Sequence, residues 1–306
     1  MPRVHLDTDL GGDIDDLCAL AMLLRWPGVT LTGITVVGDT NGIRTGYTRY
    51  ALGLEGRSDI PVAAGADTAQ GFYRSELPPQ RERYWPAEAG PSPNPADEAI
   101  ELLRQSIELD ATIIAIGPLT NLCLLDQRHP GLLKQAKLVL MGGFVYPVRK
   151  GFPDWKNEFD FNLQVDVRSA KHVLENSNPT LVPISVTAET ALRRADIDRL
   201  RPSGALGELL ARQAEAFAAD EKFETTYGAT CERLPSDIIN FQHDPLACAI
   251  ALGWKDGVEI EEVPLVIEER DGWLHERIDP SGKIFRVVTT VNGPRFNQFW
   301  INRITG

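Results

Sequence analysis

The chain has 306 residues, 43% of them hydrophobic and 24% charged, enough apolar content for a real core in one large α/β domain or two smaller ones. A formal net charge of -12 argues against a nucleic-acid backbone as partner, since phosphate binding is driven by Lys and Arg, and no apolar run approaches a membrane span. Cys18, Cys123, Cys231 and Cys248 lie far apart with no CxxC pair, and no charged leader precedes the first strand, so buried free thiols in a soluble cytoplasmic protein are expected.

Val4 and Leu6 mark a short strand, and residues 17–24 read as a largely buried helix. Between them Asp7, Asp9, Asp13, Asp15 and Asp16 crowd around the Gly11-Gly12 pair. Two carboxylates about 4 Å apart repel by roughly 4 kcal/mol at an effective dielectric near 20, so such a turn calls for a counter-charge. Carboxylate oxygens without His or Cys suit a hard divalent ion, calcium or magnesium, better than zinc or copper. The N-terminal end of the following helix further favours ionised acids. A solvated acidic loop is the commoner fate of an acidic run. Here the glycines and the core-like sequence clamped on both sides count against it.

Downstream, strand-like and helix-like segments alternate: strand 29–37, helix 42–55, strand 61–64, helix 96–109, strand 111–116, a helix from Leu119, and strand 137–141. A helix over 167–175, a strand over 180–184, helices over 204–219 and 245–252, strands over 259–267 and 285–290, and a helix over 294–303 complete the pattern. This rhythm predicts an α/β, Rossmann-like fold, a mostly parallel central sheet with helices on both faces, in which ligands bind beyond the carboxyl ends of the strands. The acidic turn leaves the first strand at that end. Residues 66–95 and 144–159 break the rhythm, and loops of that length are often functional lids. No repeat or linker divides the chain, so residues 1–306 are read as a single domain.

Four further pieces carry polar chemistry. Ile116-Gly117-Pro118-Leu119-Thr120-Asn121 places a turn after a strand and opens a helix, where backbone groups can face a ligand. Met141-Gly142-Gly143 ends another strand with glycines that serve close approach or a simple turn. Asp160-Phe161-Asn162 offers a carboxylate and a carboxamide suited to sugar hydroxyls. His243-Asp244-Pro245 opens an apolar helix, with Asp244 at a capping position and Pro245 at the first helical one.

Taken together, these motifs resemble the nucleoside hydrolase family, the inosine-uridine preferring nucleoside N-ribohydrolases. Asp7-Thr8-Asp9-Leu10-Gly11 with Asp15-Asp16 is similar to the family's opening signature, and the GPLTN, MGG, acid-Phe-Asn and HDP elements follow in the family's order up to Asp244. The resemblance implies the nucleoside hydrolase fold and calcium-dependent hydrolysis of the N-glycosidic bond of ribonucleosides. It implies Ca2+ held by Asp9, Asp16, the Thr120 carbonyl and Asp244, with Asp9 as the base that activates water. Asp15, Asp39, Asp160 and Asn162 would hold the ribose, and His243 would protonate the departing base. It also implies a homo-oligomer, a dimer or tetramer. The chain departs from the pattern at Gly12-Asp13-Ile14, two residues longer than usual, so Asp13 competes with Asp15 for its role. Asp39 and Asp160 stand where Asn and Glu are usual, and no equivalent of the family's His-Gly segment lies in residues 66–95. Trp85, Trp155, Phe152 and Phe72 are candidates to stack on a base, with core or loop packing as the alternative for each.

Three other readings compete. Asp7-Thr8-Asp9 resembles the nucleophile motif of a haloacid dehalogenase-type phosphatase, although Gly11 and the early Gly38-Asp39 fit that class poorly. An EF-hand loop matches at Asp7, Asp9, Asp13 and Asp15, but Cys18 stands where the bidentate Glu belongs. A non-catalytic nucleoside- or sugar-binding protein with the same fold is the third.

Overall fold

The computed structural model describes residues 1–69, 82–95 and 97–306. In chain order the first elements are β1 (Arg3–Thr8), α1 (Asp15–Leu24), β2 (Thr30–Val36), α2 (Ile43–Leu54), β3 (Val62–Ala64), α3 (Glu98–Glu108), β4 (Thr112–Ala115), α4 (Thr120–Arg128) and β5 (Lys137–Met141). Next come α5 (Phe161–Val165), α6 (Val167–Asn176), β6 (Thr180–Val182), α7 (Ile184–Thr187), β7 (Leu192–Arg193), α8 (Ile197–Leu200) and α9 (Ala205–Glu221). The chain finishes with β8 (Ile238–Asn240), α10 (His243–Ala251), β9 (Glu259–Arg270), β10 (Trp273–Ile278), β11 (Lys283–Thr290) and α11 (Gly293–Thr305).

Among the described residues the main sheet has nine strands in the order β10-β9-β11-β6-β5-β4-β1-β2-β3, and the run from β11 to β3 is parallel throughout. The pleat sends successive side chains to opposite faces. Ile113 and Ala115 of β4 join one apolar cluster while Ile114 joins the other; Leu138 and Leu140 of β5 likewise part from Val139 and Met141. Helices α1, α2, α9, α10 and α11 cover the first face, and α3, α4 and α6 cover the second. With both faces buried, these strands read as continuous apolar runs, which is why they were legible. From β1 the sheet grows through β2 and β3 on one side and through β4, β5 and β6 on the other. The gap at the carboxyl ends of β1 and β4 is therefore the switch point at which open α/β sheets receive ligands.

The departures from expectation are local. The strand expected over 259–267 runs on to Arg270 and turns back as β10, so β9 and β10 form an antiparallel extension of the parallel core. Asp271 and Gly272 both have positive φ, +53° and +74°, as a two-residue hairpin turn demands, and that Asp-Gly signal was in the sequence. The short strands β7 and β8 pair antiparallel in a separate ribbon that no periodicity announced. The segment expected as strand 180–184 divides into β6 and the helical turn α7, and the start expected at residue 96 lies outside the described residues.

Leu6 is fully buried on β1, an interior strand, where the cavity left by truncation cannot collapse between flanking strands. Leu6→Ala is expected to cost about 3 kcal/mol of folding stability, read as a lower urea midpoint with an unchanged slope; a loss well under about 1 kcal/mol would contradict this packing.

Candidate active site

The site starts from the turn that leaves β1. Gly11 has φ +116°, and a Cβ there would stand 2.7 Å from the Tyr47 ring, so only glycine lets the chain pass. Buried Arg44 of α2 reaches back to this turn, donating to the Asp9 carbonyl, to the Leu10 carbonyl at 3.3 Å and to the Gly38 carbonyl at 2.9 Å. The Thr8 hydroxyl donates to Asp16 Oδ1. Asp9 lies against the next strand's turn: a Cβ on Gly117 would meet Asp9 Oδ1 at 2.7 Å and its amide nitrogen at 2.9 Å. Gly117 is thus the residue that admits the Asp9 carboxylate between β1 and β4.

Helices α1 and α10 are buried nearly all round and pack together, both rich in small apolar residues such as Cys18, Ala19 and Ala21 on the one and Ala247, Cys248 and Ala249 on the other. Their N-terminal ends bring acids to one place. The carboxylate oxygens of Asp15, Asp16 and Asp244 lie within 4.8 Å of one another, and all three residues are buried. Asp244 does not cap its helix, contrary to the ordinary reading of an Asp before Pro: α10 begins at His243 with no side-chain cap, leaving the carboxylate to the cluster. Its amide instead donates to Asp15 Oδ2 at 3.3 Å.

Burial, then mutual repulsion, holds these carboxyls above their usual range. For Asp15 the neighbouring charges of Asp13 and Asp16 add to burial; for Asp16 the added charge is that of Asp9; for Asp244 it is that of Asp15 and Asp16. Burial likewise pushes Asp9 up to about 6, with the Arg44 guanidinium pulling the other way. A set of buried oxygens that repel one another is the donor set a hard divalent cation neutralises, so these residues fit such an ion.

Asp9, Asp13, Asp15, Asp16 and Asp244 line a cavity of about 310 Å³. Asn162 also faces it, its amide nitrogen held by the carbonyls of Ile116 at 3.0 Å and Met141 at 3.1 Å. The remaining wall is aromatic. Trp155 packs on Phe241 at 4.7 Å and on His243 at 5.9 Å between centroids, and Phe223, Phe159 and Phe161 extend the surface. His243 is half-buried, its Nδ1 lies 2.6 Å from the Thr187 hydroxyl, and loss of water around the ring lowers it to about 3, so it is a neutral imidazole.

Of the residues expected at the site, Asp9, Asp15, Asp16, Asn162, His243 and Asp244 line this one cavity, and exposed Asp13 lies on it too, anchored by Asn240 at 2.5 Å. The tight carboxylate group contains Asp15, expected to face ribose, and leaves Asp9 beside it. Others lie elsewhere. Asp39 accepts from the amides of Arg44 and Thr45 and holds the start of α2. Asp160 accepts from the amides of Gly143 and Leu163 and caps α5, with burial pushing it up to about 6. Thr120 opens α4 with its hydroxyl on Asp166 at 2.8 Å and is not among the lining residues. Asp7 belongs to a buried network with Thr35 and Asn121, away from the cavity, and burial raises it to about 7. That placement leaves a phosphatase-type nucleophile at Asp7 without access.

Among the base-stacking candidates Trp155 lines the cavity. Trp85 stacks on Tyr47 at 4.5 Å in the core, Phe152 sits under Arg233 at 5.3 Å, and Phe72 lies outside the described residues. Residues the sequence reading passed over are Arg44, Asn240, Phe223 and Phe241. Arg44 did carry a signal, because a helical arginine with no acid three or four residues away lacks a local partner.

The comparisons with known proteins agree with this geometry. The family model described as inosine-uridine preferring nucleoside hydrolase matches residues 4–298. A pyrimidine-specific ribonucleoside hydrolase of Klebsiella pneumoniae is 30% identical over 237 residues, 72% of this chain and 73% of that protein. Its counterpart in Salmonella arizonae is 31% identical over 270 residues, 81% of this chain and 78% of that protein. Among solved structures, a plant nucleoside hydrolase superposes with a TM-score of 0.79 at 20% identity, over 100% of this chain and 99% of that one. A purine-preferring ribonucleoside hydrolase from Gardnerella vaginalis gives 0.75 at 22%, over 99% and 98%; these two are likenesses of fold. Matched along nearly its whole length, the chain belongs to the inosine-uridine preferring nucleoside hydrolase family, hydrolases that act on N-glycosidic bonds.

Proposed function

We propose that this chain is a calcium-dependent ribonucleoside N-ribohydrolase that releases free base and ribose. The observation that carries the reading is one cavity with two chemistries: buried carboxylates gathered within 4.8 Å at one wall and contiguous aromatic rings at the other. The first suits a hard cation and a polyhydroxyl sugar, the second a flat heterocycle. Asp9, Asp16 and Asp244 would hold calcium, and the position of Asp15 supports its joining them. Thr120 opens its helix directly after the turn that touches Asp9, which supports keeping its carbonyl as a further ligand. When bound, the cation supplies charge neutralisation and acidifies a water.

Asp9 accepts the proton of the attacking water as its oxygen bonds to the anomeric carbon. It serves as a carboxylate, a form that burial disfavours and that a cation beside it would favour. The N-glycosidic bond breaks, its electron pair leaves with the base, and the surrounding carboxylates stabilise the positive charge that develops on the ribose. Asp15, Asp13 and the carboxamide of Asn162 align the sugar hydroxyls, converting binding energy into orientation. Asp39 and Asp160 contribute by holding backbone in place. His243, a neutral imidazole whose Nδ1 shares a hydrogen bond with the Thr187 hydroxyl, is placed to hydrogen-bond the departing base and so stabilise the charge that builds on it. An aromatic wall stacks purines and pyrimidines alike, and the relatives' names include both preferences. The four free, buried cysteines support a reducing cytoplasm, the family supports a homo-oligomer, and no helix among the described residues is long and apolar enough to cross a membrane.

A screen of ribonucleosides for released base is expected to give turnover with calcium, none with a chelator, and none from a folded Asp9→Ala variant; near-normal hydrolysis by that variant would remove the base role. His243→Ala should slow natural nucleosides more than p-nitrophenyl riboside, whose leaving group needs no such help, and equal losses on the two would count against a leaving-group role for His243. The raised carboxyls set a pH signature. A folded-state value above the unfolded one contributes stability that is complete below the ordinary value near 4 and is lost as pH rises through the folded value, about 6 for Asp9. Calcium needs the ionised ligands. The thermal midpoint of metal-free protein should therefore fall as pH rises through about 5 to 7 while calcium's stabilisation grows, and a calcium increment independent of pH would contradict the assignment.

A further inference from the structure

Glu276 is among the buried acids that lie outside this chemistry. Glu276 sits on β10, the outermost strand of the antiparallel extension, facing inward, and is 5% exposed. Its Oε2 accepts from the Phe144 amide at 3.1 Å, while Asp160 Oδ2 accepts from the preceding amide, that of Gly143, at 2.5 Å. Two consecutive amides after β5 are thus held by carboxyls from two distant parts of the chain. The held turn in turn carries cavity wall. The Gly143 carbonyl accepts from the Ile184 amide at 3.0 Å, and the Met141 carbonyl accepts from Asn162; Met141, Asn162 and Ile184 all line the cavity. The same strand grips α5 directly, since Gln164 exchanges two hydrogen bonds with the Leu274 backbone, at 3.0 and 2.9 Å, and it holds the turn before α5, where Asn157 donates to the Leu274 carbonyl at 3.2 Å.

We propose that Glu276 is a positioning residue: from β10 it sets the turn at residues 142–144 and, through it, the wall on which Asn162 meets the sugar. The inference rests on the hydrolase reading above. Glu276 acts as a neutral acceptor. Burial, with the charge of Asp160 added, pushes it up to about 8, and its buried Oε1 has no hydrogen-bond partner among the described residues, an arrangement a neutral carboxyl tolerates better than a carboxylate. Glutamine therefore reproduces the working form, and methionine fills the space without an acceptor. The β9–β10 hairpin, which shares no chemistry with the acidic turn, becomes a support for the substrate wall.

The test compares kcat and KM of wild type, Glu276→Gln and Glu276→Met on a purine riboside, a pyrimidine riboside and p-nitrophenyl riboside, with calcium affinity measured by titration. Glu276→Gln is expected within about threefold of wild type, whereas Glu276→Met loses at least about tenfold in kcat/KM, because a wall displaced by a fraction of an ångström misaligns the sugar. The loss should be the same factor on all three substrates, with calcium affinity unchanged. Gln164→Met, a second lesion in the same support, is expected to give the same base-independent loss and serves if Glu276→Met does not fold. Met at full activity, Gln as damaged as Met, or a loss that depends on the base would each overturn the inference while leaving the hydrolase reading intact. A wild-type protein that releases no base would overturn both.

Discussion

Like charges buried together are the constraint on which the rest of this structure depends. Asp15, Asp16 and Asp244 bring their oxygens within 4.8 Å, Asp9 stands beside them, and burial denies all four the water that would screen their repulsion. The protein meets part of that cost itself. The positive ends of α1 and α10 converge on the cluster, the Thr8 hydroxyl bonds Asp16, and Arg44 places its charge beneath the turn. The remainder is left for a cation and a sugar, which is how a fold stores selectivity for a ligand in its own unrelieved electrostatics.

The sheet makes this concentration of charge possible by keeping it at a switch point. β1 is flanked by β2 and β4, so its carboxyl end opens into a crevice with helices on both sides rather than against a neighbouring loop. Segments outside the α/β rhythm then close the crevice with apolar surface: Trp155 and Phe159 from the connection after β5, Phe223 from the turn after α9, and Phe241 from the end of the β7–β8 ribbon. The parallel core supplies the acids and the irregular segments supply the rings.

That division also explains what could be read from the sequence. The acidic turn was legible because its five aspartates are local, and strands β3 to β6 because burial on both faces writes a nearly unbroken apolar run. Convergence is another matter. Asp244 looked like a helix cap until α10 was seen to begin at His243, and Trp85 looked as available as Trp155 until Tyr47 was found stacked on it. Asp39 and Asp160 occupy family-like positions, yet their oxygens are taken by backbone amides, a fact that only coordinates carry. Phe223 and Phe241 sit in stretches of ordinary composition, and β7, β8 and the fate of Arg44 depend on partners more than thirty residues away. The Asp271-Gly272 hairpin, by contrast, was written locally and passed over.

The central claim is that these carboxylates share one hard metal, and a crystal structure of the protein grown with excess calcium tests it most directly. A single calcium peak with oxygens of Asp15 or Asp9, Asp16 and Asp244 at about 2.3–2.6 Å is the predicted result. Well-ordered carboxylates turned to separate partners, with calcium absent or bound elsewhere, would contradict it.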